Sequence, residues 1–138
     1  MRRTTIILGI GLLVCMLVTS AFAVGPNASL KGSKWVGVLT FIYPDDGNIT
    51  LTTDNSTLTF ISEKGEFLGG TLSSPSLGVL IFTCVRDGKA FQMTADGYLM
   101  SAQVLSAPYS RNRFHQVMTI LGSSFADGTM FQGSLIRQ

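Results

Sequence analysis

The stretch Asn48-Ile49-Thr50-Leu51-Thr52-Thr53-Asp54-Asn55-Ser56-Thr57-Leu58-Thr59-Phe60-Ile61-Ser62 decides the fold. In an extended chain Ile49 and Leu51 stand on one side, Thr50 and Thr52 on the other. Leu58 and Phe60 oppose Thr57 and Thr59 in the same way. A period of two gives each segment one apolar face and one hydroxyl face, which is the pattern of a half-buried strand. β-Branched and aromatic side chains also suit a pleated surface. Asp54-Asn55 has turn chemistry, so the stretch is expected to form two strands, residues 48–53 and 56–62.

The same texture continues in both directions. Strands are expected at residues 35–43, 66–72, 77–85, 90–95, 98–106, 113–123 and 129–137. Asp46-Gly47, Asp87-Gly88, Asp96-Gly97 and Asp127-Gly128 mark tight hairpins, because primed turns need positive φ. Glu63-Lys64-Gly65, Ser73-Ser74-Pro75-Ser76 and residues 107–112 supply further turns. Every acidic side chain is expected at or beside a turn, leaving strand interiors uncharged. After residue 24 no long apolar stripe follows the helical period, so no substantial helix is expected. With 46% hydrophobic and 13% charged residues in 138, disorder is excluded and one domain is the natural size. The fold class is all-β: a single small antiparallel up-and-down barrel of eight or nine short strands, with a two-sheet sandwich as the alternative.

Ahead of the strands, Arg2-Arg3, the apolar run from Ile6 to Val18, and Ala21-Phe22-Ala23 form the three-part pattern of a secretory signal peptide cut after Ala23. An uncleaved anchor is the alternative, but the run is short for a spanning helix. Thr4-Thr5-Ile6 does not fit a twin-arginine signal, and Val14 before Cys15 does not fit a lipid-modified cysteine. The expected division is residues 1–23 as signal peptide, 24–34 as an N-terminal segment and 35–138 as the barrel, in a secreted or periplasmic protein. Arg2 and Arg3 account for the whole net charge of +2. The remaining chain has no basic footprint, so nucleic acid is not an expected partner.

The chemistry-bearing residues are sparse. His115 is the one histidine, so a His-rich metal site is not expected. A Cys84–His115 dyad is conceivable, yet Cys84 lies in an apolar run that argues for an inert buried thiol. Asp45-Asp46-Gly47-Asn48 lacks the alternating ligands of a calcium loop. No serine stands in a Gly-x-Ser-x-Gly elbow. No enzyme activity and no cofactor are expected. Asn27, Asn48 and Asn55 each begin an Asn-x-Ser/Thr sequon.

Eight strands enclose a lumen that side chains fill or that holds one small ligand. Trp35, Phe41, Tyr43, Phe60, Phe91, Met93, Tyr98 and Phe114 are the expected lining, giving a non-enzymatic binding module for a small apolar ligand. The alternative is an oligomeric structural or protein-interaction barrel with a filled core. Residues 77–85 favour it, because they are apolar on both faces and need a second cover. Leu80, Ile81 and Phe82 are the expected interface of a homo-oligomer. A lipid-embedded barrel would also cover that strand, but most expected strands are short and the chain ends Ile136-Arg137-Gln138, so no integral membrane protein is expected after cleavage.

Gly32-Ser33-Lys34-Trp35, entering the first long strand, resembles the start of avidin and lipocalin (calycin-type) barrels, where a glycine precedes a tryptophan that plugs one barrel end. The turn-strand opening Gly65-Glu66-Phe67-Leu68-Gly69 is similar to avidin's repeated hairpins. The resemblance implies the barrel architecture. It does not imply biotin binding: Gly37 stands where avidins carry an asparagine, and this chain has one tryptophan.

Overall fold

The computed structural model describes residues 29–110 and 113–138, side chains excepted at 107–110, 113 and 114. The expected signal peptide with its cut after Ala23, Asn27 of the first sequon and the side chain of Phe114 lie outside the described residues. Eight strands follow one another: β1 (Lys34–Asp45), β2 (Asn48–Lys64), β3 (Phe67–Ser74), β4 (Gly78–Asp87), β5 (Ala90–Ala95), β6 (Tyr98–Ser110), β7 (Arg113–Ser124) and β8 (Met130–Arg137). Each pairs antiparallel with the next, and β8 pairs with β1, so the sheet closes into an up-and-down barrel. It is consistent with the general calycin-type barrel architecture.

The hairpins follow from the glycines. At the β1–β2 turn Asp46 has φ 38° and Gly47 φ 89°, the two positive values that a twist-matched two-residue turn requires. The barrel itself is staggered. Cross-strand partners run from Phe41 to Phe131, Gly122, Met100, Met93, Cys84 and Leu68, all facing inward, and then to Glu63. Glu63 meets the backbone at Leu30, not at Phe41, so the belt climbs as it circles the barrel.

Two expectations need correction. Asp54-Asn55 is not a turn: β2 runs unbroken, with Leu39↔Asp54 and Val38↔Asn55 in register. Asp54 is buried there, and its carboxylate accepts the Ser76 N–H at 2.7 Å, so a neighbouring turn satisfies the group that sequence alone assigns to a turn of its own. This also puts one acidic residue inside a strand. The turn expected over residues 107–112 is shorter than that, because β6 continues to Ser110.

The strands differ in reach. β8 pairs with β1 only as far as Ile42↔Met130, while β1 and β2 continue to Asp45↔Asn48. The tip of the β1–β2 hairpin therefore stands beyond the barrel rim as an arm at the end where Tyr43 lies. At the opposite end sits Trp35.

Candidate functional site

The lumen was the first candidate, and the structure brings most of its expected lining together. Trp35, Phe41, Phe60, Phe91 and Met93 belong to one core, with Tyr43 and Tyr98 packed against its edge. Their rings touch. Phe60 meets Phe82 edge-on at 5.7 Å between centroids and Phe91 at 5.9 Å. Phe41 meets Phe131 in a tilted contact at 5.4 Å, and Phe131 lies 6.2 Å from Tyr98. The expected lining did not include Leu39, Leu58, Leu72, Met100, Met118, Phe131 or Leu135, which fill the space between. Their inward parity was the available signal. Trp35, Phe41, Phe60 and Met93 expose 0% of their surface, so no water-sized space adjoins them. These residues form a packed interior.

The two ends of the barrel differ. At one, the Trp35 indole N–H donates to Ser33 Oγ at 3.0 Å, and the Arg137 guanidinium lies 5.9 Å from the indole ring. Leu30 is buried beside it, in a turn closed by Ser33 N–H to Leu30 O at 2.8 Å. Glu63 holds that turn. Its Oε2 accepts from Ser29 Oγ at 2.6 Å, Leu30 N at 2.9 Å and Lys31 N at 3.1 Å, and Arg86 approaches Oε1 at 3.7 Å. The Ser29 hydroxyl is the main cause holding the Glu63 carboxyl below its ordinary value. At the other end Tyr98 is half-buried, and desolvation raises its phenol pKa.

Catalytic chemistry finds little support here. Cys84 is buried, and desolvation pushes its thiol up to about 12, which keeps it protonated and a poor nucleophile. His115 lies on β7, separated from Cys84 on β4 by β5 and β6. Among the described residues no three His, Cys, Asp or Glu side chains gather to hold a metal ion.

The outer surface is the second candidate. On β4, Phe82 and Cys84 are buried and Leu80 packs against the core. Val79, Ile81 and Val85 point outward, and Ile81 is 77% exposed. Of the three expected interface residues, Ile81 alone is on the outside, because the register with β3 fixes Leu80 and Phe82 opposite the inward Leu72 and Gly70. The outer row extends onto β3, where the exposed Phe67 pairs directly with Val85. The structure thus adds Phe67, Val79 and Val85, which sequence reasoning did not assign to a surface. No family model and no curated protein matches this chain.

Proposed function

We propose that the protein is a non-enzymatic interaction barrel working outside the cytoplasm, with a core filled by its own side chains and its β3–β4 outer face docked on a second copy. Strand β4 carries this reading, being apolar on both faces while the barrel covers only one. Val79, Ile81 and Val85, with Phe67 beside Val85, make one outward apolar row, interrupted by Thr83 and flanked by Lys64 on β2 and Asp87 at the end of β4. A two-fold contact lays that row on its own image. Each fully covered side chain contributes roughly 1.5–3 kcal/mol. Four from each copy amount to roughly 12–24 kcal/mol, set against a cost of association of roughly 4–15 kcal/mol.

Compartment rests on the leader-like pattern of residues 1–23. The avidin- and lipocalin-like opening at Gly32-Ser33-Lys34-Trp35 favours a ligand barrel, and the packing around Phe41, Phe60 and Met93 weighs against one in this conformation. A lipid-spanning barrel turns apolar side chains outward and polar ones inward. Here the interior is Trp, Phe, Met and Leu, and the outer rows carry Thr71, Thr83, Gln92 and Thr94 among the aliphatics.

Sedimentation of the purified protein with and without Ile81→Lys tests the reading. The variant is expected to stay folded and lose mass. Wild-type protein that sediments as a monomer without detergent, or that retains a small molecule in native mass spectrometry, would overturn it in favour of self-cover or of a ligand module.

A further inference from the structure

The β1–β2 arm has an unfinished edge. β2 pairs with β1 along its whole upper half, but β3 joins it only from Thr57↔Ser73 onward. Among the described residues no strand lies along the other side of β2 from Asn48 to Ser56. The direction of its backbone groups follows from alternation. Phe60 N–H donates to Ser33 O, so even-numbered residues of β2 turn their N–H and C=O toward β1. Ile49, Leu51 and Thr53 therefore turn theirs toward the empty side, as Thr57 and Thr59 turn theirs toward β3. The Ser74–Leu77 turn reaches β2 at Asp54, through the Ser76 N–H, and ends the open edge there.

Edges of this kind are normally blunted by a charge, a proline or a bulge. Ile49 to Thr53 has none, and the bulge of β2 lies further on, between Phe60 and Ser62. The same residues carry exposed apolar side chains: Ile49 is 71% and Leu51 65% exposed. Leu51 is also the end of an outward apolar row, Met130–Ile42–Leu51, that crosses three strands and stops at the open edge.

We propose that this edge is a strand-pairing site and that its occupant is the same arm of a second copy, antiparallel and centred on Leu51. The proposal rests on the reading that the protein works by self-association, and adds to it a contact made by backbone hydrogen bonds. Centring on Leu51 sets Leu51 opposite Leu51 and Ile49 opposite Thr53. Each of these pairs exchanges two N–H···O bonds. The row Met130–Ile42–Leu51 then runs on into its own image. No charged side chain stands between Asn48 and Thr53, so the pairing brings no like charges face to face. The acidic tips, Asp45-Asp46 of each copy, fall at opposite ends of the pair.

Two variants at one position test this. Leu51→Pro removes only the N–H that points to the empty side, so it breaks no bond between β1 and β2 and is compatible with an edge. Leu51→Lys places a charge at the centre of the pair and serves if the proline variant fails to fold. With both the arm and the β3–β4 face in use, wild-type protein sediments as more than a dimer. Each Leu51 variant is expected to fall to a dimer held by the outer face. Ile81→Lys is expected to leave a dimer held by the arms, and the double variant Leu51→Lys, Ile81→Lys a monomer. If both Leu51 variants sediment as wild type, the strand-pairing site is wrong while the outer-face contact stands. If Ile81→Lys alone is without effect, the outer-face contact is wrong and the arm stands. A wild-type monomer overturns both.

Discussion

The Phe131 ring on β8 lies over Gly122, its direct cross-strand partner on β7. A Cβ at Gly122 would come within 2.8 Å of three atoms of that ring, too close for any real contact. The same pairing recurs at Gly70 on β3, covered by the Phe82 ring of β4. In both cases a glycine in a curved strand gives up its side-chain volume to a neighbouring aromatic, which fills the lumen in its place.

Gly122→Val is therefore expected to overpack the core and destabilise the barrel by about 1–3 kcal/mol. Urea unfolding monitored by circular dichroism checks this. A midpoint equal to wild type would mean that the Phe131 ring has room to step aside.

Trp35→Ala is expected to cost about 3–5 kcal/mol, because it empties a fully buried site and leaves Ser33 without its indole partner. The melting temperature reads the loss directly. A variant that melts with wild type would remove Trp35 from the structural core.

Glu63 should make stability depend on acidity. Its folded pKa lies below its ordinary value of 4.5, so its contribution is complete above that value and is lost as the pH falls through the folded one. Wild type is expected to be more stable than Glu63→Gln near neutrality, with the gap closing on acidification below about pH 4.5. A gap that stays constant down to strongly acidic pH would deny Glu63 its role in holding the Leu30 turn.

Cys84 should be inert while the barrel is folded. With its thiol at about 12 and its side chain buried, protein processed after Ala23 is expected to show no reaction with a thiol reagent at neutral pH and one thiol after denaturation. Fast labelling of the native protein would show that β4 opens to solvent.

How legible this molecule was depended on whether the deciding contact is local. The alternation at Ile49–Thr52 and Leu58–Phe60, with the Asp-Gly turns, was enough for a closed meander and for the inward parity of Phe41, Phe60, Phe91 and Met93. At residues 77–85 parity carries no signal, because both faces are apolar. Only the register against Leu72 and Gly70 turns Phe82 inward and Ile81 outward. Asp54 misled because its turn propensity was real but was satisfied by Ser76, a residue of another hairpin. The Glu63 contact with Ser29, Leu30 and Lys31 joins segments separated by two strands' worth of chain, and no local pattern announces it.

The pairing of β1 with β8 has a kinetic meaning. Every other strand pair joins sequence neighbours across a hairpin, so each can form early from local encounters. The seam between Phe41 and Phe131 must wait until the two ends of the described chain meet, and it bears the largest loop-closure entropy in the molecule. Until it closes, the sheet is an open ribbon with two bare edges and its aromatic face wet. That interval is when the chain is most exposed to sticking to its neighbours. Substitutions along the seam should lengthen it more than equally destabilising ones within a hairpin.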